Sequence, residues 1–161
     1  MGLDDGGANM SPFTLFHVVI SLVGIVTGLI VVYGFLSGYK LPYSNALFLV
    51  MTIATSVTGF FFPYHGITPG IVVGVLSLII LALALLALSK RWTKTYIVTC
   101  SVAEFFNVLV LIVQSFQKIP ALHAFAPTGK EPIVAICQGA ALVVFAGLAV
   151  IAIRKRAFVL A

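Results

Sequence analysis

The sequence predicts an all-α integral membrane bundle of five transmembrane helices, with the N-terminus outside and the C-terminus cytoplasmic. Three observations carry this. Of the 161 residues, 61% are hydrophobic and 8% charged, with mean hydropathy +1.21, whereas a soluble domain carries about 25% charged residues. Five apolar runs, near 13–36, 44–62, 68–89, 95–117 and 132–153, can each cross a hydrocarbon core of about 30 Å as a helix. With five crossings, seven of the nine basic residues share one side: Lys40, Lys90, Arg91, Lys94, Arg154, Lys155 and Arg156. Lys118 and Lys130 fall on the other, and the positive-inside rule orients the chain accordingly. Little chain remains outside the runs, so 1–161 reads as a single membrane domain without a soluble catalytic domain. The net charge of +5 orients the protein and meets lipid head groups. The expected partner is therefore membrane lipid, not nucleic acid.

Residues 1–11 hold Asp4 and Asp5 and lack a basic n-region, so no cleavable signal peptide is expected. Ser11-Pro12 starts the first helix, with Ser as cap and Pro in the first turn. Its Gly24-x-x-x-Gly28 spacing lets another helix approach closely, where lipid supplies no hydrophobic drive. The second run carries a polar stripe of Asn45, Thr52, Ser56 and Gly59 and ends in Phe60-Phe61-Phe62-Pro63. Aromatics at the interface followed by Pro suit a helix leaving the bilayer. The third repeats the small-residue spacing at Gly70 and Gly74, and its Leu-, Ile- and Ala-rich end predicts a lipid-facing helix. Residues 118–131 form an outer loop whose apolar centre predicts either an interfacial segment or a lid. The fifth run has Gln138 near its outer end and stops at Arg154-Lys155-Arg156.

The fourth run holds Glu104, the only charged residue within any span. Cys100, Glu104, Asn107, Leu111 and Gln114 share one helical face. With Thr52, Ser56 and Gln138 they make an intramembrane polar seam. A charged carboxylate at mid-bilayer costs about 2.5–3.5 kcal/mol on insertion scales. Glu104 is therefore expected either as a neutral acid bonded to Thr27, Thr52 or Ser56, or as part of a proton or ion path. His17, His65 and His123 all fall at the outer face by this topology. Two imidazoles on facing helices could hold haem b axially, and three could hold copper or zinc. Interfacial histidines that snorkel or cap a helix are the plainer reading. Cys100 and Cys137 lie at different depths, so no disulfide is expected.

Several classes are excluded. No Lys lies within a span for a retinal Schiff base, and no TVGYG filter string occurs. No nucleophile motif accompanies the outer histidines, and no catalytic residue is assigned. The stretches 55–63 (TSVTGFFFP), 107–116 (NVLVLIVQSF) and 120–128 (PALHAFAPT) resemble a group of small bacterial multi-pass membrane proteins of unknown function. The resemblance covers most of the chain. It implies a bacterial inner (plasma) membrane location, carries over no activity, and implies an uncharged residue where Glu104 stands. The leading expectation is a non-enzymatic scaffold or accessory subunit, or a binder of a lipid-like ligand, working as a homo-oligomer or within a larger membrane complex. The alternatives are a haem or transition-metal redox protein using the histidines, and a proton or ion path through Glu104.

Overall fold

The computed structural model describes residues 11–62, 66 and 68–155. Among them every regular element is helical: α1 (Pro12–Ser37), α2 (Pro42–Gly59), α3 (Pro69–Ser89), α4 (Thr93–Lys118), the short α5 (Pro120–His123) and α6 (Pro132–Lys155). Each apolar run of the sequence is a helix, and proline opens all of them but α4. At that position the missing N–H costs nothing and the fixed φ suits the first turn. Ser11 Oγ accepts from the Thr14 amide at 3.1 Å, and Thr68 Oγ1 accepts from the Ile71 amide at 3.3 Å. Gly38 ends α1 in the left-handed region at φ 78°, its N–H returning to the Gly34 carbonyl.

Four helices, α1, α3, α4 and α6, are long and apolar enough to cross a membrane. α2 is shorter, 18 residues, and its Ser and Thr residues dilute the apolar run. α1 packs on α2, α2 on α3, α3 on α4, and α4 back on α1, closing a ring of four. α6 lies outside this ring, against α4 and α1.

The main core is at the end of the bundle holding the α1–α2 and α3–α4 turns, called here the basic end after Lys40, Lys90, Arg91 and Lys94. Val31, Phe35, Phe48, Leu49, Leu81, Ala84, Tyr96, Ile97 and Cys100 pack together there. Helix α3 leaves most of its surface bare and buries one stripe. Ser77, Leu81, Ala84 and Ala87 are buried at helical spacing and make one face of the core. The small alanines let α3 approach α4 closely; its remaining faces are bare. The most exposed spanning helix is α6, whose buried residues are Val134, Phe145 and Ala152.

At the opposite end Phe116, Ala126 and Val134 form a small second core joining α4, the loop and α6. The loop thus packs on α4 and α6, leaving Ile119 and Phe125 (73% exposed) outward. Glu131 Oε1 accepts from the Thr128 amide at 2.9 Å and its hydroxyl at 2.8 Å. The Thr128 amide holds this carboxyl below its ordinary range.

Two predictions follow from these turns. Gly38→Ala forces a Cβ into the left-handed region and lowers stability in detergent by about 1 kcal/mol, whereas Gly70→Ala, on an exposed helical turn, leaves the unfolding midpoint unchanged or higher. Because the folded Glu131 value is depressed, its bonds contribute fully above the ordinary carboxylate range and are lost as pH falls through the depressed value. Hydrogen exchange at the Thr128 amide, corrected for intrinsic rates, quickens over that acid window and is already fast in Glu131→Gln.

Candidate functional site: a buried carboxyl at mid-bundle

Glu104 stands near the middle of α4 and is 0% exposed. Glycine makes room for it. A Cβ on Gly28 of α1 would overlap Glu104 Oε2 and come within 2.8 Å of the Phe48 ring. Gly24, one turn away, meets Thr52 of α2, where a Cβ would lie 3.3 Å from Oγ1. The α1 glycine pair is thus an intramolecular seat for α2 and for the α4 carboxyl.

Asn107 Nδ2, one turn from Glu104, donates to Glu104 Oε2 at 3.1 Å and to Thr52 Oγ1 at 3.2 Å. Glu104 Oε1 is buried without a hydrogen-bond partner. The expected partners are therefore corrected. The Thr27 hydroxyl donates to its own helix at Val23 and Gly24 carbonyls, as hydroxyls within helices commonly do. Ser56 donates to Ser77 of α3 at 3.1 Å, and Thr52 is reached through Asn107.

The rest of the seam divides. Gln114 is exposed, and Gln138 is half-buried on α6. Leu111, about 20° from Glu104 around the helix, is 36% exposed. Along this one face of α4, Cys100 and Glu104 are sealed, Asn107 is half-buried, and Leu111 and Gln114 are open. This face therefore opens toward the α5 end. Gly74 seats the Phe60 ring, a Cβ there lying 3.2 Å from Cζ, while Gly70 is exposed and meets only Thr68 of its own cap.

Comparison with protein-family models, characterised proteins and solved structures gives no match. The site is therefore interpreted from its chemistry.

His17 lies half-buried on α1, its Nδ1 2.8 Å from Thr58 Oγ1 of α2 and its ring edge-on to Phe62 at 5.0 Å. The Thr58 hydroxyl donates to the Ala54 carbonyl, which assigns the Nδ1 proton to His17 and leaves Nε2 as the basic nitrogen. That tautomer suits either a ligand role or a plain interhelical bond. His123 is exposed, and His65 lies outside the described residues. Among the described residues no group of three or more His, Cys, Asp or Glu side chains could hold a metal ion.

Besides Ser56–Ser77 and Asn107–Thr52, two further bonds escaped the sequence reading. Tyr96 donates to Asn45 Oδ1 at 2.6 Å, tying α4 to α2 at the basic end, and His17 pairs with Thr58. A lone Tyr in an apolar run and Asn at the start of α2 were the available signals; nothing in their spacing paired them. The seat around Glu104 makes a prediction. Gly28→Ala destabilises the bundle by about 1–3 kcal/mol through overpacking, more than Gly24→Ala. Much of that loss is recovered in Gly28→Ala/Glu104→Ala, where the clashing carboxyl is gone; unfolding titrations of the two singles and the double measure the coupling.

Proposed function

We propose that the chain is a five-helix inner-membrane protein that binds a lipid-like ligand in the open half of its bundle and catalyses no reaction. The fifth span is α2. At about 1.5 Å per residue its 18 residues reach about 27 Å, close to the hydrocarbon thickness of about 30 Å. Its Asn45, Thr52, Thr58 and Ser56 are bonded to Tyr96, Asn107, His17 and Ser77 of the neighbouring helices. With five crossings, the basic end is cytoplasmic and the α5 end faces outward.

The observation that carries the ligand reading is the exposure of Leu111 and Gln114 on the face that buries Glu104. Half-buried Asn107 beside the exposed Val110 and Leu111 suits an amphiphile with a small polar group, since ligands are held by burying apolar surface and oriented by a few polar groups. A second reading, an accessory subunit, has the bare faces of α6 in its favour, with Ile136 64% and Val143 72% exposed. A partner that co-purifies with the wild type and is lost in α6 surface variants would favour it.

Two measurements test the proposal. In a background with Cys100→Ala and Cys137→Ala, a Gln114→Cys variant should react with a membrane-impermeant maleimide added outside, and Leu81→Cys should not. Native mass spectrometry should show a retained amphiphile on the wild type that Leu111→Trp, which fills the opening, loses. Equal lipid retention by both proteins would remove the ligand reading.

A further inference from the structure

We propose that Glu104 is a reversible proton-binding site, exchanging with the α5 end of the bundle through Asn107. The orphaned acceptor comes first. Oε1 is buried and has no hydrogen-bond partner, while Oε2 holds the Asn107 amide. A carboxylate left this way inside a membrane carries most of the cost of an ion removed from water, and a proton on it reduces that cost to a neutral group's.

The surroundings select the occupant. The Gly28 backbone and the Phe48 ring close against the carboxyl, leaving no room beside Oε2 for an organic ammonium. A hard metal cation needs several oxygen ligands, and Oε1 is offered none. No other charge competes. On α1 the titratable residues are His17 and Tyr33, on α2 Tyr43, on α4 Lys94, Tyr96, Cys100 and Lys118, and on α6 Cys137, Arg154 and Lys155; α3 has none. Of these, Cys100, one turn below, and the exposed Lys118, about four turns above at the α5 end, share the Glu104 face of α4.

The route is set by burial. Below Glu104, Cys100, Ile97, Ala103 and Phe48 seal the interior. Above it, Asn107 is half-buried and Leu111 and Gln114 are open. In the exchange a hydronium O–H bond at the α5 end breaks, its proton passes to a Glu104 carboxylate oxygen to form an O–H bond, and water leaves; no electrons move. The carboxylate accepts from Asn107 Nδ2. The neutral acid donates instead to Asn107 Oδ1, which turns the amide over and exchanges its bond to Thr52. Protonation is thereby linked to an α2–α4 contact. The route rests on the open end proposed above; the carboxyl site itself does not.

The test is infrared difference spectroscopy of the full chain in lipid vesicles, stepping only the external pH. A carboxylic-acid C=O band should appear on acidification, vanish on return, and be lost in Glu104→Gln. Glu104→Asp, which keeps an acid at the site, should retain a shifted band, so a folding defect in the Gln variant does not decide the matter. Asn107→Leu should keep the band with a displaced midpoint. Identical wild-type and Glu104→Gln spectra would overturn the proposal, as would sodium at constant pH reproducing the change. A band that responds while Gln114→Cys stays unlabelled would uphold the proton site and remove the open-end reading. A static band beside a labelled cysteine would do the reverse.

Discussion

The bundle depends on one meeting point, where Gly28 of α1, Glu104 and Asn107 of α4, and Phe48 and Thr52 of α2 come together. In lipid the helices gain nothing by hiding apolar surface from water, so close packing and interhelical hydrogen bonds must hold them. Gly28 supplies the closeness and Asn107 the bonds, spanning from Glu104 to Thr52 with one amide. A larger residue at Gly28 would move α1 away from both partners at once. The same contact fixes the vertical register of α1, α2 and α4, which carry the rest of the core.

Around that point the hydroxyls of α1, α2 and α4 are satisfied in two ways. Ser21, Thr27, Thr58 and Thr99 each donate to a carbonyl of their own helix, so they need no partner elsewhere. Asn45, Thr52 and Ser56 cannot all do the same, and these three make the contacts to α4 and α3. For the hydroxyls the division is one of position, since Thr52 and Ser56 stand opposite Asn107 and Ser77. A hydroxyl that folds back is satisfied at any depth, whereas an amide must reach across.

Much of this could be read from the sequence, and the failures share a cause. Periodicity identified the α4 face carrying Glu104 and Asn107, and the Gly24–Gly28 spacing identified the α1 surface that receives it. Periodicity says which residues share a face, however, and not what stands opposite. It therefore extended the seam to Gln114, where the bundle has opened, and paired Glu104 with Thr27 and Ser56, which are satisfied elsewhere. For α3 the sequence did not show which stripe of a largely bare helix is buried. A run of Leu, Ile and Ala has no polar phase to mark its buried side, and only the small Ala84 and Ala87 hinted at it. His17 was legible as an outer-end histidine, but Thr58, 41 positions away, was beyond any spacing rule.

The position of Glu104 within the depth of the bundle follows from these same facts. One turn toward the basic end, at Cys100, the interior is apolar and closed by Phe48 and Ile97. A carboxyl there would meet the Tyr96 hydroxyl, already bonded to Asn45, in a sealed interior. One turn the other way, at Asn107, the helix surface is already half-open, and a carboxyl would be an ordinary wetted group with little hold on α1 or α2. Glu104 occupies the turn between, the last position where the ring of four helices is closed and the first from which an amide can lead outward. Its burial makes its charge state matter to the packing, and its nearness to Asn107 gives the carboxyl a donor that also reaches α2.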